Sequence, residues 1–163
     1  MRFAIFSDQH GNLEATEAVL QDAQEKECTH FVCLGDLVGY NANPHECVEL
    51  VRKMDCPVVK GNHDEQACLS VSSRDFNALA EEAIDWTRNH LTEADKEWLA
   101  DLRLTRQVRD FTIVHATLDT PGEQWRVVDI TTFGSGTNVT CTLTPLTTMG
   151  STSYDVRSSD NAF

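Results

Sequence analysis

Apolar residues in the first sixty positions fall into short runs separated by polar stretches with helical spacing. Residues 2–6 (Arg-Phe-Ala-Ile-Phe) form one such run and read as a buried strand. Asn12 is placed to cap a helix from about Leu13 to Lys26, with Leu13, Ala15, Ala18, Val19 and Ala23 as its apolar positions. A second run, Thr29 to Leu34, leads straight into Gly35-Asp36. Pro44 suits the first turn of a helix carrying Val48, Val51 and Met54. A third short run, about Pro57 to Val59, precedes Gly61-Asn62-His63. This β-α-β-α-β order predicts an α/β fold with a mostly parallel sheet and right-handed crossovers.

Downstream, Phe76, Leu79, Ala80, Ala83, Ile84 and Thr87 share one face of an amphipathic helix. Thr92 and Asp95 have capping-box spacing before a helix with Ala94, Trp98 and Leu99. Arg103–Val108 and Phe111–Val114, split by Arg109-Asp110, predict a hairpin that ends at His115. After Glu123 the text changes: residues 124–163 hold no Lys, Glu or His, and Thr and Ser dominate. Helical periodicity vanishes there, leaving at most one short β-run near Val139 to Leu143. The division expected is one domain over 1–123 and a divergent, poorly ordered Thr/Ser-rich tail over 124–163.

A length of 163 residues suits a single domain with a real core. The net charge of −13 repels polyanions, which argues against long DNA or RNA as partner or substrate. The six cysteines show no C-x-x-C pairing, and reduced thiols in a cytoplasmic protein are expected. No leader precedes the first strand and no apolar run approaches membrane length, so no membrane role is expected.

Four motifs end the apolar runs: Ser7-Asp8-Gln9-His10-Gly11-Asn12, Leu34-Gly35-Asp36-Leu37, Lys60-Gly61-Asn62-His63-Asp64 and Ile113-Val114-His115-Ala116. Strand ends are where such sheets hold ligands. Asp8 and His10 supply a carboxylate and an imidazole to one cation, and Asp36 adds a carboxylate able to bridge two. Asn62 and His115 serve a second cation. Two such ions can share a water, lower its pKa and aim it at phosphorus. His63 is better placed to touch the ester, stabilising phosphoryl charge or protonating the leaving group. Asp64 either orients the His63 ring or caps the next helix.

Taken singly, each motif has a plain structural reading, because Ser, Asp, Gly and Asn crowd turns anyway. Their order, each at a strand end, is what favours a site. His30, His45 and His90 have no such context and are read as structural. Trp86 and Trp98 are read as core or near-core residues.

The motifs closely resemble the calcineurin-like metallophosphoesterase superfamily. The match is nearest to the bacterial branch reading Ser7-Asp8-Gln9-His10-Gly11-Asn12-Leu13-Glu14-Ala15, Gly35-Asp36-Leu37-Val38-Gly39-Tyr40 and Gly61-Asn62-His63-Asp64. The resemblance runs from Met1 to about Gly122. It implies an αββα sandwich with a dinuclear centre, and manganese, iron, zinc or nickel as the divalent ions. Asp8, His10 and Asp36 would hold one ion and Asp36, Asn62 and His115 the other, with His63 catalytic. Substrates would be phosphate monoesters, phosphate diesters or phosphoproteins. The family's final Gly-His-x-His has no counterpart, since no His follows position 115. The expectation is therefore an incomplete second sheet and second metal site, from a truncated or frame-shifted gene. The alternative function is a catalytically impaired remnant that binds metal or phosphate without turnover.

Overall fold

The computed structural model describes residues 1–70 and 78–118 in full, with the backbone of 126–129 and 142–144. Strand β1 (Phe3–Phe6) leads to helix α1 (Leu13–Glu25), strand β2 (His30–Cys33) and helix α2 (Pro44–Lys53). Three helices follow: α3 (Asn62–Cys68), α4 (Ala78–His90) and α5 (Glu93–Asp101). Strands β3 (Thr105–Val108), β4 (Phe111–Val114), β5 (Arg126–Asp129) and β6 (Thr142–Thr144) complete the order.

β1 and β2 pair in parallel, from Phe3↔His30 to Phe6↔Cys33. The expected third strand is reduced to a single parallel bridge, Cys33↔Val58. Two hydrogen bonds frame it, Cys33 N to Pro57 O at 2.9 Å and Val59 N to Cys33 O at 3.1 Å. Pro57 has no N–H to donate, so the ladder has no start before it.

Side chains alternate across this sheet and build two cores. On one face Phe6, Cys33 and Val58 pack with Leu20, Val48, Val51, Ala67, Leu91 and Leu99 from the helices. On the other, Val32 and Val59 pack with Val108 and Ile113, flanked by Phe3, Leu34 and Phe111. Helices, parallel strands and the β3–β4 hairpin therefore form successive layers of a mixed α/β sandwich whose sheets are small. The hairpin covers only part of its face, for Ile5, on the same side as Phe3, is 55% exposed. Its register, Thr105↔Val114 to Val108↔Phe111, matches the expected turn at Arg109-Asp110.

Several helical expectations hold and others shift. Asn12 caps α1, its side chain accepting from Ala15 N at 3.0 Å. The buried stripe of α1, however, is Thr16, Leu20 and Ala23, while Val19 is exposed. Thr16 tolerates burial because its hydroxyl donates to Asn12 O at 2.7 Å, which disguises a core position as a polar one. In α4, Ala80, Ile84 and Thr87 are buried as expected, but Leu79 is 72% exposed. Trp86 is not a core residue: it is exposed and stacks on His90 at 3.7 Å. The capping box Thr92–Asp95 is present at the start of α5. The short helix α3 begins inside the Gly61-Asn62-His63-Asp64 motif itself, at Asn62.

β5 and β6 pair antiparallel, with Val127↔Leu143, and β6 overlaps the β-run expected near Val139 to Leu143. The remainder of the tail, Phe76 and Cys141 lie outside the described residues.

Candidate metal centre

The pairing of β1 with β2 continues past the strand ends. Leu34 N donates to Phe6 O at 2.9 Å, Asp8 N to Gly35 O at 3.0 Å, His10 N to Asp36 O at 2.9 Å and Gly11 N to Leu37 O at 2.8 Å. Two loops thus run edge to edge beyond the sheet and carry Asp8, His10 and Asp36 with them. All three sit at positive φ, 58°, 48° and 54°. That left-handed conformation costs an L-residue roughly 1–2 kcal/mol and is tolerated best by Asn, Asp and His. Strain of this kind concentrates at functional sites. Gly35, at φ +93°, lets the third loop close in, because a Cβ there would meet Val59 O at 2.7 Å. The close approach that requires this glycine is of backbone to backbone.

Asp36 lies at the centre, 2% exposed. Its Oδ1 accepts from His63 N at 2.9 Å. Its Oδ2 faces His10 Nε2 at 3.7 Å and His115 Nε2 at 3.3 Å. His10 Nδ1 is 3.0 Å from Val38 O, and a carbonyl can only accept, so Nδ1 carries the proton. His115 Nδ1 donates in the same way to Leu34 O at 2.7 Å. Both rings therefore turn Nε2 inward. His10 Nε2 also lies 3.7 Å from Asp8 Oδ1, and His115 Nε2 lies 3.2 Å from Asn62 Oδ1.

In their neutral forms these inward atoms are all electron-pair donors. Imidazole nitrogen, carboxylate oxygen and amide oxygen face one another here, and such a cluster suits a proton or a cation. The titration behaviour says the same. Burial pulls His115 down, but the hydrogen bond and charge of Asp36, with Asp8 and Leu34 O, hold its pKa above the ordinary value. Burial pushes Asp36 up, yet the His115 hydrogen bond and the three neighbouring imidazoles bring it below the usual carboxylate range. The mixed O/N donor set suits a borderline divalent ion.

Donor atoms within 4.8 Å of one another form two triplets, His10–Asp36–His63 and Asp8–Asp36–His115, with Asp36 common to both. Asn62 joins these five through His115, so all six residues singled out in the sequence come together. His63 is buried, its ring edge-on to His10 with centroids 4.7 Å apart. Burial, with the charges of His10 and His115, lowers its pKa to about 4 against the pull of Asp36. Near neutrality His63 is an uncharged imidazole that can donate an N–H without carrying a positive charge.

Asp64 does not orient the His63 ring. Its Oδ2 accepts from Asp36 N at 2.8 Å and Gly61 N at 3.0 Å, its Oδ1 from Leu37 N at 2.8 Å and Val38 N at 3.3 Å. Fully buried, it staples the Asp36 loop to the start of α3. Of the two roles open in the sequence, the capping one is realised. Gly39 was not anticipated. It sits at φ +136°, and a Cβ there would lie 2.9 Å from both His10 Nδ1 and His63 Nδ1. Tyr40 was not anticipated either; its half-exposed ring meets His10 at 5.0 Å and His63 at 4.8 Å between centroids. Their only sequence signal is membership of the Val38-Gly39-Tyr40 stretch.

The remaining described histidines lie outside the cluster. His30 Nδ1 is 2.8 Å from Thr29 Oγ1, His45 Nδ1 is 2.7 Å from Asp95 Oδ2, and His90 Nδ1 is 2.7 Å from Trp86 O. The described cysteines, Cys28, Cys33, Cys47, Cys56 and Cys68, are free thiols. No helix among the described residues is long and apolar enough to cross a membrane.

A layered α/β fold with Asp, His and Asn side chains gathered at its strand ends defines a class, and comparison with known proteins names it. The model of the calcineurin-like phosphoesterase family matches residues 1–142, and the chain belongs to that family. It is 44% identical over 101 residues to an uncharacterized protein of Methanocaldococcus jannaschii, covering 62% of this chain and 42% of that protein. A crystal structure of a metallophosphoesterase from Sphaerobacter thermophilus is similar at 40% identity and TM-score 0.63, over 74% of this chain and 49% of that one. A hypothetical protein from Pyrococcus horikoshii shares the fold at 19% identity and TM-score 0.64, over 78% of this chain and 59% of its own. The chain thus spans about half the length of these relatives.

Proposed function

We propose that this chain is a divalent-metal-dependent phosphoesterase acting on phosphate monoesters or diesters. The observation that carries the reading is the convergence of His115 Nε2, Asn62 Oδ1 and Asp36 Oδ2 on one point within 3.3 Å of the nitrogen. Asp8, His10 and Asp36 would hold one ion, and Asp36, Asn62 and His115 a second. Manganese, iron, zinc and nickel all suit this donor set. When bound, such ions supply Lewis acidity, polarising phosphoryl oxygen and acidifying water.

The protein's own residues do the rest. Carbonyls of Val38 and Leu34 fix the tautomers of His10 and His115, so that each presents Nε2 inward. His63 N–H ties Asp36 Oδ1, leaving Oδ2 toward the two imidazoles. The neutral His63 ring donates a hydrogen bond to phosphoryl oxygen, a role favoured over proton donation by its lowered pKa of about 4. The half-exposed Tyr40 ring forms part of the rim. Substrates are small esters or phosphoproteins, since a net charge of −13 disfavours long nucleic acid. A cytoplasmic setting accords with the free thiols.

A second reading, a metal- or phosphate-binding module with little turnover, is favoured by one observation. The Asp8 side chain is 45% exposed, so the ion that it would share with His10 and Asp36 would stand open to solvent on that side. Calorimetric titration of the chain with Mn²⁺, followed by aryl phosphate and bis-aryl phosphate assays, separates the two. Two tightly bound ions with turnover of roughly 1–10³ s⁻¹ support the enzyme. Substoichiometric binding with slow turnover supports the module, and binding of neither Mn²⁺ nor, in a parallel titration, inorganic phosphate overturns both.

A further inference from the structure

Thr87 lies in the last turn of α4, forty-eight residues away in sequence from the loop it touches, and is fully buried. A helical threonine ordinarily spends its hydroxyl on a carbonyl one turn back. Here it donates to Gly39 O at 2.6 Å. Gly39 is the residue whose missing side chain admits both the His10 and His63 rings. The peptide preceding it carries Val38 O, the acceptor for His10 Nδ1 at 3.0 Å. A continuous path therefore runs from the α4 hydroxyl through the 38–39 backbone to the tautomer of His10.

We propose that Thr87 is a positioning residue of the candidate centre: its hydroxyl holds the Val38–Gly39 backbone so that His10 presents Nε2 inward. The hydroxyl fixes Gly39 O, and Gly39 at φ +136° has a wide conformational range to lose. Without that anchor the loop can rotate, Val38 O leaves the plane of the His10 ring, and the Nδ1–H tautomer is no longer enforced. Groups one step behind a ligand usually change metal affinity or activity about 10–100-fold. Thr87 acts through one further link, so about tenfold is expected. The consequence for metal affinity rests on the reading of His10 as a ligand, but the effect on the ring does not.

The test compares Thr87→Val, which keeps shape and loses the hydroxyl, with Thr87→Ser, which keeps the hydroxyl and loses a methyl. Nitrogen chemical shifts of the His10 ring in the metal-free protein report the tautomer, thermal unfolding reports stability, and calorimetry with Mn²⁺ reports affinity. The expected result is a single Nδ1–H tautomer in the parent and in Thr87→Ser, a mixture in Thr87→Val, and about tenfold weaker Mn²⁺ binding in Thr87→Val alone. Should Thr87→Val fail to fold, the Ser and Ala variants repeat the comparison at smaller volume. An unchanged tautomer in the hydroxyl-free variants, or losses in both pairs that track thermal stability alone, would overturn the proposal. If the parent binds no Mn²⁺, the metal reading fails while the tautomer measurement still judges Thr87.

Discussion

Two buried aspartates, Asp36 and Asp95, each sit beside a histidine, and their surroundings are opposite in character. Asp95 is met only by donors. Thr92 N and Thr92 Oγ1 donate to its Oδ2 at 3.0 and 2.6 Å, His45 Nδ1 lies 2.7 Å from the same oxygen, and Arg52 donates to Oδ1 at 2.8 Å. Burial opposes its charge, but these partners together hold its pKa below the usual range. Asp36 has one backbone donor on Oδ1, while Oδ2 faces two imidazole nitrogens whose other nitrogens are already committed to carbonyls. A buried carboxylate whose donors are all supplied by the protein is a staple. One that meets lone pairs is suited to a cation. The backbone agrees, for Asp36 is held at φ 54° whereas Asp95 sits comfortably in the first turn of α5.

The comparison is broken most directly at Asp36. Asp36→Ala is expected to weaken Mn²⁺ binding by more than about 100-fold, exceeding every other single change in the cluster, because in the proposed arrangement one carboxylate would serve both sites. Calorimetry on the single variants measures it, and equal losses for Asp36→Ala and His10→Ala would remove the bridging role. His63→Ala should next lower whatever turnover exists by about 10²–10⁴-fold while Mn²⁺ stoichiometry stays as in the parent. Metal analysis that showed a parallel loss of the ion would move His63 into direct coordination.

Asp95→Ala should do the reverse of Asp36→Ala. It removes the acceptor of His45 and Thr92 N and one of the two carboxylates that meet Arg52, and urea unfolding should register a loss of about 3 kcal/mol with Mn²⁺ affinity unchanged. That figure is at the low end for a buried pair, because the Arg52 and His45 side chains are 30% and 42% exposed and partly screened. A change in Mn²⁺ affinity would erase the distinction between staple and cation site.

The last effect is a pH dependence. His63 titrates at about 4 in the folded chain against 6.5 when free. Above pH 6.5 it is neutral in both states and contributes nothing. As pH falls from 6.5 toward 4 the unfolded chain takes up the proton first, so stability drops, by at most about 3 kcal/mol. Unfolding of the metal-free parent and of His63→Ala across that window isolates this contribution. If the two curves stay parallel, the His63 site is wetter than its burial indicates.

The alternation of apolar runs and helical spacing was enough to place β1, α1, β2, α2 and the β3–β4 hairpin, because both signals are local. The same holds for the Asn12 cap and the Thr92–Asp95 box, which need only neighbours within one turn. The candidate ligands were legible for a related reason: Asp8, His10, Asp36, Asn62 and His115 each end an apolar run, and ends of paired strands must fall together. Residues that act at long range left no such mark. Whether Asp64 would orient His63 or cap α3 depended on four backbone donors from two separate loops. Thr16 and Thr87 look like interruptions of an apolar stripe until the carbonyls that receive their hydroxyls are in place. Leu79 and Val19 carry the right periodicity and still face outward, because helical period fixes which residues share a face and only packing decides which face is covered. Sequence determined which chemistry this chain can bring to a strand end. Tertiary structure decided how each imidazole is turned, since a tautomer is chosen by the carbonyl that meets the other ring nitrogen, and that carbonyl belongs to a different loop.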